Sequence, residues 1–144
     1  MKRREVNCVN IINILMSIKE EWWRAIESGE KTLEIRKSSP RKSGPFRVYF
    51  YVSGTKRIFG YAEVDKVVEM TAKEIADSGS AGSKLTLERL EKYAKGSKLY
   101  AWHITNVVRL SNPVKYKKHP PMSWVYVPVT RHKKEKGSEY ALSA

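Results

Sequence analysis

The chain has one cysteine, Cys8, and three histidines among its 144 residues. A single thiol excludes an intramolecular disulfide, and the three histidines show no zinc-ligand spacing, so no metal or cofactor is expected. Long apolar runs are also missing. The stretch from Ile11 to Ile18 is only strand length, well short of the roughly 20 residues that span a bilayer. Lys2, Arg3 and Arg4 make a basic start, but no signal-peptide core or small-residue cleavage site follows. No basic amphipathic helix offers itself to an anionic membrane surface. These absences lead to the expectation of a cytoplasmic protein in a reducing compartment, without a membrane partner.

Acidic residues are scarce as well. Fifteen Asp and Glu stand against 28 Lys and Arg, a formal net charge of +13. Phosphate backbones attract such a surface, with an affinity that falls as salt rises. A solvated basic surface without a ligand is the plainer alternative. Hydrophobic residues make up 41% of the chain, enough for one real core, and the length suits one domain. Nothing in the sequence marks an obligate protein partner.

The pattern is β-rich with inserted helices, an α+β arrangement. Ile11–Ile18 reads as a buried strand, and Lys19–Ser28 as a helix ended by Gly29, with Trp22 inward and Trp23 partly exposed. Leu33–Lys37 is a short extended segment. Arg47–Ser53 alternates, with Val48, Phe50 and Val52 on one face and Arg47, Tyr49, Tyr51 and Ser53 on the other. Ile58–Glu69 is a long strand on which Ile58, Ala62 and Val64 share a face. Thr71 and Glu74 have capping-box spacing. The Ser/Gly stretch at 78–83 reads as flexible, and a helix carrying Leu87, Leu90 and Ala94 follows it. Lys98–Leu110 and Trp124–Val129 complete five or six strands with two to three flanking helices. Residues 1–10 are expected as a basic extension, 11–129 as the domain, and 130–144 as a polar basic tail that frays.

The most informative segment is Gly29-Glu30-Lys31-Thr32-Leu33-Glu34-Ile35-Arg36, at a helix-to-strand junction. Strict alternation puts Thr32, Glu34 and Arg36 on the face opposite Lys31. An extended segment that starts later lets Lys31 swing beside Glu34. Two cations around a carboxylate can make a cleft for a phosphate or a base edge, or can simply pin a turn as a buried ion pair. Tyr49 and Tyr51 beside Arg47 suit base stacking next to phosphate contacts, and equally suit barrel packing. Trp124, next to Ser123 and the Pro120-Pro121 pair, is a candidate pocket wall. Lys115, Lys117 and Lys118 open a basic run suited to tracking a backbone.

Gly29, Lys31, Glu34 and Arg36 fill the four fixed positions of G-x-K-x-x-E-x-R. In this the chain resembles the ASCH family of the PUA-like superfamily, with further likeness in Tyr100–Ile104 and Pro120–Val127. The resemblance implies a PUA-like mixed β-barrel, association with nucleic acid (RNA ahead of DNA), and a cleft at the motif. One branch of the family deacetylates acetylcytidine with a Lys, a Thr and a later Glu. This chain keeps Lys31 but has Glu34 where that branch has Thr, and Gly82-Ser83-Lys84 where the later Glu belongs. Other members are ribonucleases relying on Lys, Tyr and Ser. Lys31, Tyr51 and Ser53 are the corresponding catalytic candidates here, with Ser123 a further hydroxyl. No histidine is obviously positioned, since His103 lies within a strand and His119 and His132 lie in basic loops. On this reading, reversing the charge of Lys31 and Arg36 removes binding and leaves the fold intact.

Overall fold

The computed structural model describes residues 11–78, 80–131 and 140–142, and at 80, 81, 129–131 and 140–142 it describes the backbone only. The described residues form eight strands and four helices: β1 (Ile12–Ile18), α1 (Glu20–Ser28), β2 (Leu33–Arg36), β3 (Phe46–Val52), β4 (Arg57–Met70), α2 (Ala72–Asp77), α3 (Ser80–Ser83), α4 (Leu87–Ala94), β5 (Leu99–Lys115), β6 (Trp124–Tyr126), β7 (Val129–Arg131) and β8 (Tyr140–Leu142). Six strands make one curled half-barrel sheet in the order β2-β5-β4-β3-β1-β6. Among the described residues only β1 and β3 pair in parallel, with α1, β2 and the loop to β3 as their crossover. The α+β mixed-barrel expectation therefore holds. No helix among the described residues is long and apolar enough to cross a membrane.

Alternation along the strands sorts the apolar side chains onto two faces of the sheet. Ile14, Met16 and Ile18 of β1 meet Val48, Phe50 and Val52 of β3, Trp102 and Ile104 of β5, and Trp23 and Ile26 of α1. Leu15, Tyr49 and Tyr51 point the other way and build a second cluster. On β2, Leu33 and Ile35 pack under α2 and α4 with Ile75, Leu90 and Leu99. Glu34 and Arg36 are thereby turned onto the opposite face. Burial of each large apolar side chain contributes about 1.5–3 kcal/mol, so these clusters supply the main drive for closure.

Three expectations are corrected. Trp23, not Trp22, is the core residue of the pair, at 2% exposure. Its indole fits because Gly60 opposite has no side chain: a Cβ there would stand 2.6 Å from Trp23 Cη2 and 2.3 Å from the Val108 carbonyl oxygen. Ile58 does not share a face with Ala62 and Val64. A bulge skips Phe59 between the pairs Phe50–Gly60 and Tyr51–Ile58, which turns Ile58 into the Tyr49–Tyr51 cluster. The Ser/Gly stretch holds the short helix α3 and a fully buried Ser83.

The segment expected to fray contains the β7–β8 ladder. His132, Lys133, Lys134 and Lys136 lie outside the described residues, as do residues 1–10. The capping box forms as expected: the Thr71 hydroxyl accepts from the Glu74 N–H at 3.0 Å and the Glu74 carboxylate from the Thr71 N–H at 2.9 Å.

Candidate functional site

The motif takes its shape from where the helix stops. Glu20 and Glu21 suit the first turn of α1, and Gly29 ends the helix in the left-handed region at φ 88°. The chain then needs three residues to reach β2, which begins at Leu33. Lys31 thus precedes the regular alternation. It lies beside Glu34, as the later-starting of the two expected geometries requires.

Lys31, Glu34 and Arg36 are 3%, 7% and 9% exposed. Arg36 Nε donates to Glu34 Oε2 at 2.8 Å, and Arg36 Nη2 stands 2.8 Å from the same oxygen. Nη2 also donates to the Ser17 carbonyl at 2.8 Å, and Nη1 to the Ser123 hydroxyl at 3.1 Å. One guanidinium thereby ties β2, β1 and the segment leading into β6. The Ser17 hydroxyl donates to the Pro121 carbonyl at 2.7 Å and fastens that segment a second time. Lys31 Nζ donates to the Ser83 carbonyl at 2.5 Å and lies 3.7 Å from Glu34 Oε1. It also sits 4.9 Å above the Trp22 ring, where a cation is favoured. Burial pushes the Lys31 ammonium below its ordinary pKa, an effect only partly offset by the Glu34 carboxylate.

This ion cluster opens onto a cavity of about 370 Å³. Lys19, Lys31, Arg36 and Arg89 line it against the single carboxylate Glu34, with Trp22 and Tyr93 as its aromatic members and Ser17 and Ser53 as hydroxyls. Arg89 lies 5.5 Å from the Trp22 ring, and Lys37 stacks on Tyr93 at 4.7 Å. Burial raises the Tyr93 phenol above its ordinary pKa, although Arg36 acts the other way. The concavity can hold an aromatic, partly anionic molecule of nucleotide size. Among the described residues no group of three His, Cys, Asp or Glu is placed to hold a metal ion.

The sequence-selected residues divide. Lys31, Glu34, Arg36 and Ser53 line the cavity, and Ser123 is held at its edge by Arg36. Trp124 does not line it. The indole packs 5.3 Å from Trp102 and 5.5 Å from Tyr126, and Nε1 donates to the Ser38 hydroxyl at 3.0 Å. Tyr49 is buried 5.4 Å from Tyr61, so it presents no open ring for stacking. Arg47 lies over Tyr61 and 3.6 Å from Glu63. Tyr51, Lys115, Lys117 and Lys118 belong to a separate concavity. The catalytic trio considered from sequence is thereby split, since Lys31 and Ser53 share the cavity and Tyr51 does not. The Gly82-Ser83-Lys84 segment meets Lys31 through the Ser83 backbone carbonyl and places no carboxylate there.

Ser17, Lys19, Trp22, Ser83, Arg89 and Tyr93 are site residues that the sequence did not single out. A signal existed for two of them. Arg89 and Tyr93 are four apart on α4, one position before the core residues Leu90 and Ala94, so they share the face beside the buried one. Ser83 left no such trace.

A family model for the ASCH domain matches residues 16–114. No curated protein matches. Among solved structures, the chain is similar to ASCH from Zymomonas mobilis, with 21% identity and a TM-score of 0.72, over 81% of this chain and 87% of that one. A serine-to-alanine variant of that protein gives 20% identity, TM-score 0.72, and coverage of 81% and 88%. A tyrosine-to-phenylalanine variant gives 20%, 0.72, and coverage of 81% and 90%. Identities this low speak for the fold, whereas the family match covers well over half of the sequence. The chain belongs to the ASCH domain family.

Proposed function

We propose that the protein binds single-stranded nucleic acid, RNA ahead of DNA, by taking one nucleotide into the cavity beside Lys31, Glu34 and Arg36. One observation carries this reading: four cations and two aromatic side chains line a nucleotide-sized hollow that holds a single carboxylate. Phosphate suits the cations and a base suits the indole, which is the pairing of contacts used for unstacked nucleotides. The net charge of +13 supports it further. Arg36 is already committed to Glu34, Ser17 and Ser123, and Lys31 to the Ser83 carbonyl and Glu34, so the exposed Lys19 and Arg89 are the cations freest to meet a ligand.

A metal-independent ribonuclease is the second reading, favoured by one observation. Lys31 and Tyr93 line one cavity, and a lysine whose pKa burial lowers is a fitting proton carrier for attack by a ribose 2′-hydroxyl held there. Tyr93, which lines the cavity with Lys31, would replace Tyr51 in that scheme.

The test is titration of the protein with single-stranded RNA and DNA, followed by tryptophan fluorescence, alongside incubation with end-labelled RNA in chelator. Quenching that disappears in Lys31→Met supports the binding reading. Cleavage that disappears in the same variant supports the nuclease. Neither quenching nor cleavage by the wild-type protein would falsify both.

A further inference from the structure

A second concavity, of about 390 Å³, opens beside the turn that joins β3 to β4. Lys56, Lys115, Lys117, Lys118 and His119 line it, and no Asp or Glu does. Among the described residues no carboxylate lies within ion-pair distance of any of those four ammonium groups. Like charges gathered without a counter-charge repel one another, and an anion relieves that repulsion.

Two contacts tie together the chain that carries them. Tyr51, buried in the second apolar cluster, meets the Tyr116 ring edge-on at 5.9 Å. The Tyr116 N–H donates to the Lys56 carbonyl at 2.9 Å, which locks the turn to the end of β5.

Two chain segments run from this concavity into the cleft. Tyr51 lines one hollow and Ser53, two residues on, lines the other. Pro120 and Met122 are divided in the same way, and between them Pro121 is fastened by Ser17. Two residues of extended chain cover about 7 Å, so the two hollows are neighbours.

We propose that this lysine-lined concavity holds the phosphodiester backbone of the same single strand whose nucleotide enters the cleft. The inference rests on the nucleotide-binding reading of the cleft. Lysines acting as point charges contact phosphates without reading bases, so the second site adds affinity and salt dependence and leaves base preference to the cleft.

The experiment compares the wild-type protein, Lys31→Met, and a double variant, Lys56→Asn with Lys117→Gln. Asparagine tolerates the left-handed conformation of position 56, φ 60°. Each protein is titrated with nucleoside monophosphates and with single-stranded RNA and DNA of about eight nucleotides, within the usual site size for such strands, across a salt series. The double variant is expected to bind both oligomers about tenfold more weakly. Its logarithmic salt slope should be shallower by about 1.4, the sum for two lost phosphate contacts, with monophosphate affinity unchanged. Oligomer binding that is lost in Lys31→Met yet equal in the double variant overturns the second site alone. A wild-type protein that binds no oligomer overturns the cleft reading and the second site together. A loss confined to RNA or to DNA overturns a backbone contact, because phosphodiesters are common to both.

Discussion

The ammonium of Lys31 stands closer to the carbonyl oxygen of Ser83, at 2.5 Å, than to Glu34 Oε1, at 3.7 Å. Glu34 is instead gripped through its other oxygen by Arg36. The cation–carboxylate–cation cluster is thus unequal. Arg36 is a structural clamp, and Lys31 is a buried charge held by a carbonyl and an indole face.

Arg36 therefore carries stability, contrary to the expectation that its charge can be reversed without harm to the fold. Arg36→Met leaves the Glu34 carboxylate buried without its main partner and frees the segment around Ser123. The expected loss is about 3–5 kcal/mol, measured by urea unfolding. Adding Glu34→Gln should restore part of it. A double variant no more stable than Arg36→Met would sink this account.

Lys31 behaves in the opposite sense. Its folded-state pKa lies below the ordinary 10.5, with burial as the main cause. The unfolded chain therefore binds the proton more tightly, so stability rises with pH between the depressed value and 10.5. Lys31→Met removes the buried charge. The variant should equal or exceed the wild type in stability at neutral pH, and its advantage should shrink as pH climbs towards 10.5. Chemical denaturation at a series of alkaline pH values reads this directly. An advantage independent of pH would contradict it.

The adjacent tryptophans separate stability from binding. Trp23→Ala opens a cavity in the core and should cost about 3–5 kcal/mol. Trp22→Ala, which removes a half-buried ring and one support of the Lys31 ammonium, should cost less stability than Trp23→Ala but weaken oligonucleotide binding by about 1–3 kcal/mol, the value of one stacked base. Thermal melts and fluorescence titrations on both variants check the division.

Gly60→Ala tests the close approach of α1 to the sheet. The added methyl meets the Val108 carbonyl at 2.3 Å and the Trp23 ring at 2.6 Å. Backbone and a packed indole cannot both retreat, so a loss of about 1–3 kcal/mol is expected. A calorimetric scan that finds the variant as stable as the wild type would show that α1 can move.

What the sequence determined was local. Gly29 after an amphipathic stretch ended α1, alternation divided Val48 and Phe50 from Tyr49 and Tyr51, and Thr71 with Glu74 fixed the start of α2. Each of these depends on residues a few positions apart, so periodicity and capping chemistry suffice to read them. The motif residues were legible through their resemblance to the ASCH signature, and their turn position through Gly29.

The tertiary structure decided which tryptophan is buried, where the bulge at Phe59 turns Ile58, that Arg89 and Tyr93 line the cleft with Lys31, and that the Ser83 carbonyl accepts from its ammonium. Those outcomes depend on space left by residues distant in sequence, as Gly60 leaves space for Trp23, and on backbone carbonyls brought within reach by packing, as Ser83 is brought to Lys31. Neither free volume nor the position of a carbonyl is carried by residue type, so only the assembled chain contains them.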